Sequence, residues 1–426
     1  MKKSNLLLTL IIIIGSFGNS LAQLTNVSPY SRYGIGDIQF GTFITQQTMG
    51  GVSSAYQSPY RINFNNPASY SSIAAATFET GGFAESIFLK TNQKNDAASN
   101  SSIGYLGIGF PLIKEKAGLS FGLVPLSQVG YSIESSQSVD SIGSIKYTYN
   151  GTGGINRAYV GIGYKISPSF SIGFNAAYLF GNLSRYRSIE FPKGTNYFNT
   201  RNTNDLTVND VYFNFGAQYK KGFNEKTSLV VGSNISLESN INNKSTILSE
   251  NYSLSSINSP IIKDTSQFFK TKNSDLVLPF MYSFGVMLYS EKKWVAGVDF
   301  SMQNWADIEG SSPQTENSYQ INSGIQYTPK PDVFAAKYVE KMNYRMGLRY
   351  NHSYLNLNNT NITDYGISVG IGLPVRKGFA EMSMINIGIE AGQRGTTDNA
   401  LLKETHIKFL FGVVINEEWF KRRKFE

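Results

Sequence analysis

The stretch SFSIGFNAAYLFG (residues 169–181) alternates between two kinds of side chain with a period of two. One set is apolar and often aromatic, and the other set is mostly small or polar. A period of two belongs to the β-strand, in which successive side chains point to opposite faces. AGLSFGLV (117–124) repeats the pattern, because Leu119, Phe121 and Leu123 alternate with glycine and serine. The sequence therefore predicts strands with one apolar face.

These predicted strands are long and carry few charges. Strands of soluble sandwiches are usually about five or six residues long and present charges to water, whereas many of these run past ten residues. Only 16% of the 426 residues are charged, and glycine, tyrosine and phenylalanine number 40, 26 and 28. Lipid cannot satisfy an open sheet edge, so a sheet that is apolar outside and polar inside must close on itself. We predict an all-β fold, a transmembrane antiparallel β-barrel.

About fourteen strand-like segments can be counted, and an even number is expected of such barrels. Links after even-numbered segments are mostly short, whereas links after odd-numbered segments include the long polar stretches 189–205 and 243–275. The exception is 329–341, where we predict a brief helix. The segments are 74–90, 101–112, 116–133, 145–165, 169–188, 206–221, 227–242, 276–290, 293–309, 317–328, 342–356, 362–376, 380–394 and 402–417.

The first 22 residues have the features of a secretory signal peptide. A basic start (MKK) precedes the apolar run LLLTLIIII, and SLA before Gln23 fits a cleavage site. The run is too short to cross about 30 Å of hydrocarbon as a helix. The chain has no cysteine, so neither a lipid anchor at the cleavage point nor disulfides are expected.

The charges give little support to nucleic-acid binding. The net charge of +8 falls to about +6 when Lys2 and Lys3 leave with the signal, and the one basic cluster is KRRK at 421–424. Enzyme chemistry is not predicted either, because His352 and His406 are the only histidines and no nucleophile and carboxylate accompany them at a recognisable spacing. We expect no enzyme activity, no cofactor and no metal site.

Residues 23–73 do not alternate, and they end in INFNNPASYSSI (62–73). Gly50 and Gly51 permit tight turns, Pro67 cannot donate to a ladder, and asparagines at 65 and 66 can bond their own backbone. Irregular backbone at membrane depth is tolerated only where protein shields it from lipid. We therefore predict that this segment plugs the barrel, which gives a signal peptide (1–22), an N-terminal hatch (23–73) and a barrel (74–426).

Three segments resemble the FadL family of outer-membrane transporters for long-chain fatty acids and other hydrophobic compounds. MGGVSSAYQSPYRINFNNPASY (49–70) is similar to the family's hatch, with Asn66, Pro67 and Ala68 at its Asn-Pro-Ala motif. Residues 278–308 resemble its Leu-Pro, Gly, Trp, Asp, Trp pattern, and NYRMGLRY (343–350) resembles its Tyr-Arg-x-Gly-x-x-Tyr strand.

The resemblance implies a fourteen-stranded barrel with a hatch that contains the gate. It assigns hatch and gate roles to Gly50, Gly51, Asn66, Pro67 and Ala68, and it implies that substrate leaves sideways through the wall near residues 62–70. The start of the chain differs from the family pattern, because QLTNVSPYSRYGIGD (23–37) precedes the hatch motif.

Arg345 and Arg349 share parity with Gly347 and are predicted to face the lumen, because a charge on the lipid face costs roughly 2 to 4 kcal/mol. One hypothesis makes an arginine the partner of a ligand carboxylate. The other is an ion pair inside the lumen. Its candidate lumenal charges are Glu238, Asp299 and Glu390.

Aromatic residues allow two interpretations. Trp294 and Trp305 lie near opposite ends of one predicted strand, as in the aromatic girdles of membrane barrels. Phe64 and Tyr70 in the predicted hatch, with Tyr56 and Tyr60, either line an apolar route and bind ligand or pack the plug.

Two functions are left open. The first is passive uptake of a hydrophobic small molecule, such as a fatty acid or hydrocarbon, by a monomeric barrel in contact with outer-membrane lipid, with both termini periplasmic. The second is a barrel that transports nothing and acts as a structural partner of an outer-membrane (type 9) secretion complex.

Overall fold

The computed structural model describes residues 27–255, 257, 259–272, 276–307, 315–331, 336–375 and 383–417. The predicted signal peptide and the basic cluster at 421–424 lie outside these residues. The described helices are all short, and none combines the length and apolarity needed to cross a membrane.

Fourteen of the described strands form one closed antiparallel barrel. They are β2 (Ala76–Lys90), β3 (Asn95–Ile113), β4 (Ala117–Val139), β5 (Gly143–Lys165), β6 (Phe170–Glu190), β7 (Asn199–Gly222), β8 (Thr227–Ser236), β13 (Met281–Ser290), β14 (Trp294–Gln303), β15 (Ser318–Tyr327), β16 (Asn343–Leu357), β17 (Thr360–Pro374), β18 (Met384–Gly395) and β19 (Lys403–Glu417). Successive wall strands pair with each other, β8 pairs with β13, and β19 pairs with β2 to close the ring. The predicted fourteen-stranded barrel is confirmed.

The alternation in the sequence corresponds to the two faces of the wall. In β6, Ile172 and Tyr178 are 42% and 50% exposed on the outer face, whereas Ser171 and Asn175 are buried on the inner face. An outer face of this kind is suited to lipid because it offers apolar side chains and no unpaired backbone.

The barrel has a turn end and a loop end. Links 114–116, 166–169, 223–226 and 291–293 join strands tightly at the turn end, and the predicted brief helix in the link 329–341 is found there at Tyr338–Lys341. Within this link Lys330 Nζ lies 2.8 Å from Glu340 Oε1, and this hydrogen bond lowers the pKa of the Glu340 carboxyl.

The prediction for the links at the loop end is partly wrong. The segment predicted as strand 227–242 leaves the wall after Ser236, and the one predicted as 293–309 ends at Gln303. Segment 243–275, predicted as a loop, holds a hairpin of β10 (Asn243–Leu254) and β11 (Pro260–Lys272). β10 pairs with β7 beyond the point where β8 ends, so the hairpin extends the sheet at the loop end. Two short strands, β9 (Ser239–Asn240) and β12 (Val277–Leu278), pair with each other nearby.

Residues 27–75 lie inside the barrel against its inner face. This N-terminal segment contains a 3-10 turn (Pro29–Arg32), strand β1 (Asp37–Ile38), a one-turn helix (Ile44–Gln47) and a 3-10 helix (Pro67–Ser72). Its side chains Ile44, Val52, Ile62 and Tyr70 are 0–1% exposed. A segment that is mostly irregular is shielded from lipid in this way.

Wall glycines let the N-terminal segment approach the barrel backbone. A Cβ atom at Gly347 would lie 2.0 Å from the nitrogen of Gly50 and 2.2 Å from the carbonyl carbon of Met49. A Cβ at Gly324 would lie 2.2 Å from the Met49 oxygen. No side chain fits at such distances, so glycine at these inner-face positions is a condition for seating the segment.

We expect Gly347→Ala to destabilise the protein by about 1–3 kcal/mol, because the added methyl group overpacks against backbone that cannot move aside easily. The measurement is the temperature at which the folded band converts to the unfolded band on a gel. Gly366→Ala is the matched control, since the nearest atom to its Cβ would be 3.4 Å away. Equal conversion temperatures for both variants would contradict the seating of the segment.

Candidate functional site: the filled lumen and the β3–β4 seam

Asn66 fastens the N-terminal segment to the wall. Its Nδ2 donates to the carbonyl oxygens of Ser54, Ala217 and Ser233 at 2.6, 3.2 and 3.2 Å, and its Oδ1 accepts from the nitrogen of Ala68 at 3.1 Å. Pro67 occupies the first position of the 3-10 helix, where a missing N–H costs nothing. The Asn-Pro-Ala residues are therefore a buried structural anchor.

Gly50 and Gly51 form the tight turn that the sequence predicts. Their φ angles are +69° and +91°, which side-chain-bearing residues rarely adopt. The nitrogen of Gly50 donates to Ser368 Oγ at 3.1 Å, and this bond ties the turn to β17.

Asp299 on β14 also holds the N-terminal segment. Its Oδ2 accepts from the backbone nitrogens of Ser53 and Ser54 at 2.5 and 2.7 Å, and the side chain is 4% exposed. The prediction that Asp299 is a lumenal charge fits this position. Among the described residues its hydrogen-bond donors are the backbone N–H groups of Ser53 and Ser54 and the Ser53 hydroxyl, rather than an arginine.

We expect Asp299→Asn to loosen residues 50–57, because hydrogen bonds to a charged acceptor each stabilise by about 1.5–3 kcal/mol. Amide hydrogen exchange in detergent should become faster in that stretch. Asp264→Asn on exposed β11 is the control and should leave the exchange unchanged. Unaltered exchange at 50–57 in Asp299→Asn would show that the carboxylate is not needed to hold the segment.

Arg349 is paired inside the lumen, as one of the two hypotheses for it predicts. Its guanidinium nitrogens lie 2.7 Å from Asp364 Oδ2 and 2.9 Å from Glu390 Oε1. Next to this triad, Lys408 Nζ is 3.3 Å from Glu85 Oε1. A ligand carboxylate at Arg349 would therefore have to displace a carboxylate of the protein.

Arg345 also faces the lumen and is 4% exposed. Among the described residues it donates to Gln326 Oε1 at 2.7 Å and to Asn386 Oδ1 at 2.8 Å, which are neutral acceptors. The structure thus separates the two arginines, which lie on one face of β16 but have different partners.

Two expectations are wrong. Glu238 is not a lumenal charge, because the strand ends at Ser236 and Glu238 is an exposed residue of the following link. Trp305 does not belong to a lipid-facing girdle: it lies in a 3-10 turn after β14, is 6% exposed, and stacks on Tyr354 with 4.5 Å between ring centroids. Trp294, 44% exposed at the turn end, fits the girdle.

The predicted hatch aromatics are packed. Phe64 is 4% exposed, its ring centroid lies 4.6 Å from that of Tyr159, and the Arg157 guanidinium carbon lies 4.8 Å from its centroid. Tyr70 is fully buried, and its carbonyl oxygen lies against Gly118. Phe64 also lines a small cavity of about 70 Å³.

One cavity inside the described lumen is small and polar. Its volume is about 190 Å³, and its wall includes the Arg349–Asp364–Glu390 triad, Lys408 and the pair of Asp37 with Arg394, whose closest atoms are 2.7 Å apart. Three acidic and three basic side chains line the cavity, so their charges balance. Such a cavity suits water rather than a hydrophobic ligand.

The wall has a seam between β3 and β4 in its loop-end half. The β3–β4 ladder runs from Ile113↔Ala117 only to Leu106↔Leu123, although both strands continue toward the loop end. Over that length β3 pairs with β2 and β4 pairs with β5. Ile62 and Phe64 pack in one cluster with Tyr105 and Val124, the first residues beyond the last β3–β4 pair. The implied exit near residues 62–70 stays a prediction.

Local backbone features explain the seam. Two β-bulges lie just beyond the last paired residues, with Gly104 unpaired in the β2–β3 ladder and Leu126 unpaired in the β4–β5 ladder. A bulge bends its strand and strengthens its twist, and Pro125 offers no N–H to a neighbour. Pro125 inside the predicted strand 116–133 was the available sequence signal for this break.

The N-terminal segment takes the place of β3 along the seam. Asp37 and Ile38 of β1 pair with Gln128 and Ser127, and the nitrogen of Gln39 donates to the Leu126 oxygen at 2.8 Å. The bonding edge that β3 leaves open on β4 is thereby partly satisfied.

Beneath the seam, side chains of the N-terminal segment fill an apolar region. Tyr30 and Ile35, 3% and 2% exposed, pack in a cluster with wall residues that line the loop-end lumen. Those wall residues include Leu126, Val129, Tyr131, Ile155, Leu179, Leu183 and Val208. Outside, Ile103 on the β3 side of the seam is 80% exposed.

The sequence model of the BamG family matches residues 1–426. The chain belongs to the BamG family. No curated protein matched this chain.

Solved hydrophobic-compound channels share the fold of this BamG-family chain. The Pseudomonas putida toluene transporter TodX is 14% identical, with 90% of this chain and 100% of that chain covered at a TM-score of 0.60. The Ralstonia pickettii toluene transporter TbuX is 10% identical (88% and 98% covered, TM-score 0.60), and a Pseudomonas aeruginosa FadL homologue is 10% identical (90% and 100% covered, TM-score 0.54). The resemblance to the FadL family is confirmed at the level of the fold.

Proposed function

We propose that this BamG-family chain is an outer-membrane barrel that takes up hydrophobic compounds and releases them sideways through the β3–β4 seam. The observation that carries the proposal is the seam itself, where β1 replaces β3 as the neighbour of β4. The short links suit the periplasmic side and the hairpin-bearing end suits the exterior, so Glu417, the last described residue, lies at the periplasmic end in this proposal. A periplasmic N-terminus does not fit the described segment, because Ser28 and Tyr30 hydrogen-bond to Glu404 and Leu402 at the loop end. TodX and TbuX, which share the fold, are toluene transporters, and this supports the substrate class.

The apolar cluster under the seam is the proposed binding region. Tyr30 and Ile35 occupy it in this conformation, and a ligand would replace their side chains against Leu126 and Val129. Burial of apolar surface stabilises by about 25 cal/mol per Å², so ligand and segment compete for the same contacts. Withdrawal of residues 30–39 would then open the seam at the outer boundary of the apolar wall, beside Ile103.

Long-chain fatty acids are the first substrate class to test, and a neutral hydrocarbon is the second. The cationic groups of the lumenal cavity are neutralised by Asp37, Asp364 and Glu390, so we place the binding free energy in apolar contacts rather than in a carboxylate–arginine pair. The test is uptake of labelled oleate and of toluene by liposomes that contain the purified protein, with mass spectrometry of the lipids that co-purify. Uptake of neither compound above empty liposomes, with no bound hydrophobic compound, would refute the proposal.

A second candidate is a structural partner of an outer-membrane secretion complex of the type 9 kind. The filled, polar lumen favours it, since the cavity of about 190 Å³ carries charged groups. It predicts co-purification with a larger membrane protein in mild detergent and no uptake by liposomes. A monomer that transports hydrophobic compounds would reject it.

A further inference from the structure

Strand β11 presents an open edge at the loop end of the molecule. Among the described strands it pairs only with β10, and all of its residues from Pro260 to Lys272 are exposed. A row of unpaired N–H and C=O groups is a template for another strand, and soluble edges are usually covered or blunted. This edge is blunted over only part of its length.

The two halves of β11 differ. Register shifts in the β10–β11 ladder leave Lys263 and Ser266 unpaired as bulges, and bulges of this kind discourage edge pairing. From Gln267 to Lys272 the ladder is regular, with each residue opposite one residue of β10. The regular stretch 267–272, the docking edge, is therefore the part that can accept a strand.

Side chains of the docking edge point to opposite faces of the sheet. Phe268 and Phe269 are adjacent in sequence, so their rings lie on opposite faces, and they are 55% and 58% exposed. A lipid surface or a flat protein surface would cover one ring and leave the other in water. A strand added at the edge covers both, because its own side chains also alternate.

The charge of the docking edge selects the partner. Lys270 and Lys272 lie on the same face as Phe268, Lys270 Nζ lies 4.8 Å from the Phe268 ring centroid, and the stretch contains no acidic residue. Like charges opposite each other destabilise strand pairs, and opposite charges stabilise them. A second copy of this chain would bring lysine against lysine or leave the lysines without partners.

We propose that residues 267–272 bind an extended segment of another surface protein by strand addition. The partner segment carries carboxylates on the face of Lys270 and Lys272 and, at the alternate positions, apolar side chains on the face of Phe269. This inference does not depend on uptake, because the hairpin's role in it is separate from the lumen.

The test uses the full-length protein in detergent and a synthetic peptide in which glutamate and valine alternate. We expect the peptide to bind and to slow amide exchange at 267–272, with an affinity that falls as salt is raised. Lys270→Glu/Lys272→Glu should weaken binding by about tenfold or more, since two attractions become repulsions. Lys263→Glu, in the bulged half, is the matched control and should bind like the unmodified protein.

Crosslinking in outer membranes identifies the natural occupant. The chain has no cysteine, so Thr271→Cys places a single photo-crosslinker at the docking edge. A crosslink to an acidic, extended stretch of another protein, lost in Lys270→Glu/Lys272→Glu, would support the proposal. A crosslink to a second copy or to lipid alone, or equal binding of a lysine–valine peptide, would overturn it.

Discussion

A disulfide between positions 38 and 127 should abolish uptake of hydrophobic compounds. Ile38 and Ser127 are direct partners in the β1–β4 pairing, and opposed Cα atoms in such pairs lie about 4.5–5.5 Å apart, within disulfide range. The bond in Ile38→Cys/Ser127→Cys would hold β1 in the seam and keep Ile35 in the apolar cluster. We expect oxidised protein in liposomes to take up oleate or toluene no faster than empty liposomes, and a reductant to restore uptake.

The control places a disulfide on the same strand away from the seam. Ser138 and Ser144 are exposed partners in the continuous β4–β5 ladder. Ser138→Cys/Ser144→Cys should leave uptake unchanged in both redox states. Full uptake by the oxidised 38–127 variant would rule out the seam as the exit.

Removal of Arg349 should give the largest loss of stability among the side chains of the lumen. Its side chain is 14% exposed, and Asp364 and Glu390 are 15% and 12% exposed, so little water can replace the lost partner. Removing one member of such a buried ion-pair network lowers the free energy of unfolding by about 3–5 kcal/mol, because the remaining charges are left uncompensated. We expect Arg349→Met to lower the free energy of unfolding by about 3 kcal/mol, measured by guanidinium titration in detergent.

The matched rescue is the triple variant Arg349→Met/Asp364→Asn/Glu390→Gln, which removes the uncompensated charges and should recover most of the stability. If Arg349 instead bound a substrate carboxylate, Arg349→Met would lose oleate uptake and retain toluene uptake without a change in stability. That result would contradict the pairing described for the lumen.

The sequence predicts the barrel well because lipid imposes a simple rule on its outer face. On β6, Tyr178 lies on the outer face, which must suit lipid, whereas Ser171 lies on the inner face and can be polar. The alternation of side chains along β6 therefore predicts the two faces of the wall. The inward direction of Arg349 follows from the same rule. The rule does not apply to Glu238, because the wall strand ends at Ser236 and alternation carries no information about the link that follows.

Long-range contacts account for what the sequence did not predict. The bonds from Ser53 and Ser54 to Asp299 join residues far apart in the chain, and no local pattern specifies which backbone N–H groups a buried carboxylate will accept. The hairpin gives no alternating pattern in the sequence, because the residues of β11 are exposed on both faces. At the seam, Pro125 is a local signal that the β3–β4 ladder ends. The strand that pairs with β4 in place of β3 is β1, which lies far away in the sequence.

The central claim is that residues 27–75 fill the barrel and close its seam. Electrical conductance of the purified protein in planar bilayers tests it most directly, because a filled barrel passes few ions and an unplugged barrel of fourteen strands passes many. We predict no steady conductance from the unmodified protein and stepwise conductance after removal of residues 27–75. A steady open-pore conductance from the unmodified protein would contradict the claim.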